Sequence, residues 1–205
     1  MREQPDPRRA TVAAYDASAR AYASANPVLP DSVRADIDSF SRRLPPGARV
    51  LEVGSGAGRD AALLEELGLQ VHRTDVTPAF VALLREQGHD ADVLDPLVDD
   101  VVGPYDGVWA NASLLHVLRA DLVTVLQRLG SATRPGGLLR FSVKEGDGEG
   151  WSTHGAVAAP RHFTFWRAGP LTDAVVAAGW TDVLVRSGIA GKRQETWLEV
   201  SAVRP

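Results

Sequence analysis

The chain has 205 residues, a formal net charge of −4 and no cysteine. That length suits one medium-sized domain whose core needs no covalent staples, and the missing thiols exclude disulfides, thiolate zinc sites and cysteine nucleophiles. The acidic balance, with arginines scattered apart from Arg8/Arg9 and Arg42/Arg43, gives no general attraction to a phosphate backbone, so nucleic acid is not an expected partner.

Residues 1–27 are polar and proline-broken, with no apolar run long enough for a signal peptide or a membrane span, which leaves a cytoplasmic protein as the expectation. Residues 8–24 and 31–43 read as two helices, the first carrying Tyr15, Ala19 and Tyr22 on one face. Within a single domain, residues 1–44 are expected to form a helical lid on a core of residues 45–205.

After Pro45 short apolar runs alternate with amphipathic segments, the pattern of βαβ units around a parallel sheet. Strands are expected at 49–53, 69–75, 89–93, 105–111 and 137–143, with helices over 58–67, 78–87 and 119–133 between them. Gly68, Gly88 and the "RPGG" of 134–137 stand where helices should stop. The Gly-rich "KEGDGEGWSTHGAVAAP" that follows has no periodicity and reads as a loop over the sheet, ending in a short aromatic strand or turn at "RHFTFW". A helix over 169–178 then leads to "WTDVLVRS" and "RQETWLEVSAV", two alternating runs that pair as an antiparallel hairpin. The expected fold is α/β and Rossmann-like: a seven-stranded, mostly parallel sheet with helices on both faces and an antiparallel C-terminal hairpin.

The chemistry concentrates in "VLEVGSGAGRDAALLEEL", Val50–Leu67, where a strand ends in Gly54, Gly56 and Gly58 and opens directly into a helix. Bare backbone there lets a ligand approach closely, and the helix N-terminus offers unpaired N–H groups. A dinucleotide is one reading, since Gly56 to Ala61 fits a permissive Gly-x-Gly-x-x-Ala pattern with Asp75 further on. Two carboxylates point elsewhere. Glu52, just before the first glycine, repels phosphates and attracts a cation, while Asp75 at the next strand end can accept both hydroxyls of an unsubstituted ribose. An adenosine with a cationic amino-acid tail, S-adenosylmethionine, satisfies both.

On the motifs "LEVGSGAGRD" (51–60), "RTD" with "VTPAF" (73–80), "DADVLD" (90–95), "YDGVWANASLLHV" (105–117) and "RPGGLLRFSVKEG" (134–146), the chain resembles the class I S-adenosylmethionine-dependent methyltransferases over nearly its whole length. "YDASARAY" (15–22) is similar to the lid helix of small-molecule members. The resemblance implies S-adenosyl-L-methionine as cofactor and S-adenosyl-L-homocysteine as product. It puts the methionine moiety on Glu52 and the Gly54–Ser55–Gly56–Gly58 backbone, the ribose on Asp75, Val76 near the adenine, and the adenine amino group on Asp92 beside Val93, with Asp95 as the competitor. Asn111 would approach the methionine end, and Tyr15 or Tyr22 the sulfonium or carboxylate, unless the tyrosines serve helix packing. No metal is called for. The Pro-Pro-Tyr segment common in amino-methylating members is replaced after Asn111 by Ala-Ser-Leu, which disfavours nucleic-acid bases and glutamine amides.

The expected reaction moves the methyl to an oxygen or nitrogen of a small organic molecule, with no membrane partner and an oligomeric state the sequence leaves open. His116 is the candidate base, the alternative being a histidine that positions a loop. His154 and His162 are weaker candidates. Lys144, one of two lysines, either meets a substrate carboxylate or pairs with a nearby glutamate. Arg161, Phe163, Phe165 and Trp166 either line an acceptor pocket or cover the sheet edge as core. The competing functions are a non-catalytic S-adenosylmethionine-binding protein and a nicotinamide-dependent oxidoreductase.

Overall fold

A computed structural model describes residues 6–153, 155–190 and 195–205. His154 and Lys192, and with the latter the tip of the C-terminal hairpin, lie outside them.

The strands β1 (Arg49–Val53), β2 (Gln70–Asp75), β3 (Ala91–Val93), β4 (Tyr105–Ala110), β5 (Thr133–Lys144), β8 (Thr181–Ala190) and β9 (Glu195–Val203) form one sheet in the order β3-β2-β1-β4-β5-β9-β8. The first five are parallel, and β9 and β8 add antiparallel to β5 and to each other. Strand order reverses where β1 meets β4. Open α/β sheets leave a crevice beyond the strand ends at such a point.

Alternation along the strands builds a core on each face. Leu51, Val108, Leu139 and Phe141 face the apolar sides of α6 (Leu122–Ser131) and α7 (Ala168–Ala177), whose Leu126, Leu129, Leu171 and Val175 are buried. Val50, Trp109 and Leu138 face α3 (Asp31–Ser41) and α4 (Arg59–Glu66) through Ile37, Phe40 and Leu64. Under α5 (Pro78–Glu86), Val81 and Leu84 close on Ala91.

Two expectations are corrected. The helix read over 8–24 is two helices, α1 (Pro7–Asp16) and α2 (Ala19–Ala25). The Asp16 carboxylate accepts from the Ala79 N–H at the start of α5 (2.8 Å), and Ser18, a poor helix interior residue, stands just before the first residue of α2. The turn brings Tyr15 and Tyr22 edge to face at 5.6 Å. The Gly-rich segment is not all loop: β6 (Glu149–Ser152) pairs antiparallel with β7 (Arg161–Thr164) as a separate two-stranded ribbon, anchored by buried Phe163. Alternation on such a short strand is masked by the surrounding glycines.

Candidate functional site

The glycine loop follows β1. Gly54 adopts φ +80°, and a Cβ there would lie 2.4 Å from the Ser113 Cβ, so both conformation and contact demand glycine. Its N–H and that of Ser55 both donate to the Thr74 carbonyl (2.8 and 2.9 Å), tying the loop to β2. Gly56, at φ +54°, has open space where a Cβ would stand, and its N–H donates to Asp75 Oδ2 at 2.9 Å. Asp75 Oδ1 accepts from the Thr77 N–H at 2.8 Å. Burial raises the pKa of Asp75 against these two bonds.

A cavity opens above this loop at the carboxyl ends of β1, β2 and β4. Val53, Gly54, Gly56, Ala112 and Ser113 form its floor, and Asp75 and Val76 one side. Leu94, Asp95, Pro96 and Leu97 close the far end, and Leu114, His116 and Val117 the opposite wall. The roof is Thr11, Val12, Tyr15 and Tyr22, with Phe80 packed on both tyrosines at 6.0 and 5.6 Å.

The roof is fastened at both ends. Arg8 forms an ion pair with Asp95, and Arg20 with Glu86 at 2.6 Å. The His162 N–H donates to Thr11 Oγ1 at 2.9 Å. His116 Nδ1 lies 2.6 Å from the His162 carbonyl, which can only accept, so Nδ1 carries the proton and Nε2 is an acceptor. The Tyr15 hydroxyl, 2.9 Å away, therefore donates to Nε2 while accepting from Arg161 Nη1 at 3.0 Å. Packing around the imidazole, with Arg161 and Lys144 acting in the same direction, lowers its pKa to about 4 against the pull of the His162 carbonyl. The ring is neutral at pH 7 rather than half-charged as its ordinary value implies. Burial raises the Tyr15 hydroxyl to about 12, with Arg161 opposing.

Beneath the loop lies a polar pocket on the α3/α4 face. Asp60 Oδ2 accepts from Trp109 Nε1 and Asn111 Nδ2, both at 2.9 Å, and Asn111 Oδ1 accepts from Ser142 Oγ at 2.6 Å. Glu52 is 2% exposed, and its Oε2 has no hydrogen-bond partner among the described residues. The Ser55 and Ser113 hydroxyls are likewise buried without partners there. Burial first, and Asp60 second, raises the Glu52 pKa to about 8.

Of the residues singled out from sequence, Tyr15, Tyr22, Gly54, Gly56, Asp75, Val76 and His116 line the cavity. Glu52 and Ser55 lie below it, and Gly58 packs on Leu84, 2.6 Å from where its Cβ would be. Others lie away from it. Asp92 is bound by His72 (2.9 Å) and Arg85 (3.3 Å) at the outer edge of β3, and Val93 beside it is half exposed; the acid at the cavity is Asp95. Asn111 is turned down to Asp60 and Ser142 rather than up to the cavity. Trp166 is core, 4% exposed under the Arg119 guanidinium at 4.0 Å. Lys144 pairs with Glu195 at 2.9 Å and stands over the Phe163 ring, and Arg161 backs Tyr15; neither lines the cavity. Sequence reasoning missed Arg8, Thr11, Phe80 and the Ala112–Leu114 turn, whose roles arise from contacts distant in sequence.

A methyltransferase-domain family matches residues 26–185 of the chain. The chain belongs to that family. It is thus a class I S-adenosylmethionine-dependent methyltransferase, with S-adenosylmethionine as cofactor. The ubiquinone biosynthesis O-methyltransferase of Xanthomonas campestris pv. campestris is 32% identical over 125 residues, 57% of this chain and 49% of that protein, so the match spans about half the length of this curated relative. Among solved structures, the methyltransferase resembles the Burkholderia thailandensis 1,6-didemethyltoxoflavin-N1-methyltransferase, bound to 1,6-didemethyltoxoflavin and S-adenosylhomocysteine (TM-score 0.74, 24% identity, 100% of this chain and 92% of that one). It also shares its fold with the [4+2]-cyclase SpnF (TM-score 0.73, 18% identity, 98% and 97% covered). Among the described residues no helix is long and apolar enough to cross a membrane, and no group of three or more His, Asp or Glu could hold a metal ion.

Proposed function

We propose that this methyltransferase moves a methyl group to an oxygen or nitrogen of a small organic molecule enclosed beneath α1 and α2. The observation that carries the reading is the roofed, aromatic-walled cavity at the β1/β4 reversal, which a macromolecular acceptor would have to unroof. The names of the relatives, one an O-methyltransferase of ubiquinone biosynthesis and one a 1,6-didemethyltoxoflavin-N1-methyltransferase, fit an acceptor of this size.

The residues suit the cofactor. Asp75 offers lone pairs to a ribose diol beside the open backbone of Gly56, and Val76 and Leu94–Leu97 give an adenine an apolar slot with Asp95 at its rim. The partnerless Glu52, Ser55 and Ser113 atoms surround the loop where the amino-acid tail would lie. When bound, the cofactor supplies a methyl carbon already activated by its sulfonium. The protein's part is then mainly to hold the reactants in line and exclude water. Tyr15 and Tyr22 turn aromatic surface toward that charge. His116, neutral and with its pKa lowered to about 4, acts by position: its Nε2 accepts from the Tyr15 hydroxyl and fixes that side chain against the acceptor. Lys144 and Arg161 supply positive potential behind this wall.

The test is to incubate the full chain with S-adenosylmethionine and panels of phenols, catechols and heteroaromatic N–H compounds, and to measure S-adenosylhomocysteine. Product above the acceptor-free rate from a phenol, catechol or N–H compound supports the reading. Tight cofactor binding with no turnover on either class contradicts it.

A further inference from the structure

Among the described residues that line the cavity, every group able to take a proton is already engaged or too weak a base. The Tyr15 hydroxyl donates to His116 Nε2 at 2.9 Å, and the Nδ1–H of that ring goes to the His162 carbonyl at 2.6 Å, so the imidazole has no lone pair to spare. The Tyr15 oxygen in turn accepts from Arg161 Nη1 at 3.0 Å. On the opposite side, each oxygen of Asp75 takes a backbone N–H, and Asp95 takes the Leu97 N–H at 2.9 Å and the Arg8 guanidinium. Burial keeps Tyr15 and Tyr22 protonated at pH 7 and leaves His116 neutral, a base too weak to draw a proton from a phenol. His162 is not a lining residue; its ring lies edge-on to Trp151 at 5.5 Å.

The charge behind the Tyr15 wall is positive. Arg161, 4% exposed, stands 5.2 Å from both the Tyr15 and the Phe163 ring centroids, and Lys144 Nζ, paired with Glu195, lies 5.0 Å from the latter. Phe163 packs on His116 at 4.6 Å. Arg161 and Lys144 both resist a proton on His116, and Arg161 favours loss of one from Tyr15, as a positive potential must. The lining acids, Asp75 and Asp95, sit on the side assigned above to the adenosine. A ligand that brings its own negative charge suits the Tyr15 side, whereas one that must shed a proton there finds nothing to take it. We propose that the acceptor is a weakly acidic phenol or heteroaromatic N–H compound that enters the cavity already ionised and is methylated as its anion, with no proton passed to the protein. This rests on the small-molecule reading above and narrows its substrate class. The acceptor proton leaves for solvent before binding. Inside, the anion's lone pair forms the new bond to the methyl carbon as the carbon–sulfur bond breaks and its electron pair returns to sulfur, so the sulfonium and acceptor charges cancel.

4-Nitrophenol reports its own ionisation, because its anion absorbs visible light and its neutral form does not. It is titrated with the full chain saturated with S-adenosylhomocysteine, at a pH where most of it is neutral in solution. The visible band should grow several-fold as the compound is bound, and grow less with Arg161→Gln. Binding seen by calorimetry with the band unchanged or smaller overturns the inference and leaves a small-molecule acceptor in place. Should Arg161→Gln not fold, turnover of the wild type decides. With S-adenosylmethionine, kcat/KM for 4-nitrophenol, 4-cyanophenol and 4-chlorophenol should rise about tenfold per pH unit and level off at each compound's own ionisation, so that the break moves with the compound. A break at one pH for all three would reveal a protein base, such as His116 or His154, and overturns the inference, as does a profile with no rising limb. Failure of all three phenols, and of benzotriazole as the N–H probe, to bind the cofactor-loaded protein also overturns it. The small-molecule reading itself falls only if the wider panel of catechols and less acidic N–H compounds fails as well.

Discussion

The two halves of the cavity are built differently. The half beside β1 and β2 is made by a short stretch of sequence acting through backbone: Gly54, Ser55 and Gly56 are held by Thr74 and Asp75 on the adjoining strand. The half beneath α1 is made by side chains far apart in the chain, Tyr15 meeting His116 and Arg161, and Arg8 meeting Asp95. A loop that recognises a common cofactor is fixed by conformation and tolerates little. A roof assembled from long-range hydrogen bonds can be exchanged residue by residue, which suits the side that must match an acceptor.

The contrast predicts a graded series of effects. Gly54→Val should be the most damaging, because the left-handed φ and the 2.4 Å approach to Ser113 leave no place for a side chain; the variant should lose cofactor binding and melt well below the wild type. Asp75→Ala removes charge-assisted hydrogen bonds worth roughly 1.5–3 kcal/mol, so calorimetry should find S-adenosylmethionine binding about ten- to a hundredfold weaker.

Glu52→Gln should separate stability from binding. The folded protein prefers neutral Glu52, its pKa being raised to about 8, so this group's contribution to stability declines as pH rises from the unfolded carboxyl value toward 8. The Gln variant should therefore melt higher than the wild type at pH 8, by on the order of 10 °C, and near it at pH 4, while binding the cofactor less well. Equal shifts at both pH values would contradict that assignment.

Tyr15→Phe touches only the roof. It should leave the fold and most cofactor affinity intact, raise amide exchange across residues 8–24, and reduce methyl transfer once an acceptor is known. Smallest of all, Asp92→Asn should leave cofactor affinity unchanged, whereas Asp95→Asn should weaken it several-fold, since only Asp95 borders the cavity.

The same contrast explains what the sequence made legible. The strands, the glycine loop and Asp75 at the end of β2 were readable because strand alternation, glycine spacing and a carboxylate at a strand end are local signals. Asp92 and Asp95 could not be separated, because β3 ends after Val93 and the turn that carries Asp95 into the cavity is set by its bonds to Leu97, Asp99 and Arg8. Asn111 gave no hint that Asp60 and Ser142 would claim it from two other elements. Trp166 looked like a pocket wall since an aromatic after a Gly-rich segment serves either purpose, and only packing against Arg119 decides for the core. For His116 the sequence gave position but not tautomer, which depends on the His162 carbonyl supplied by β7.

The central claim is that S-adenosylmethionine binds at the β1/β4 reversal under the α1–α2 roof. The most direct test is the structure of the protein co-crystallised with S-adenosylhomocysteine. The ribose should meet Asp75, the adenine should lie between Val76 and Leu94–Leu97 beside Asp95, and the amino-acid tail should run over Gly54–Gly56. A ligand bound outside this cavity, or one whose adenine reaches Asp92 instead, would contradict the account.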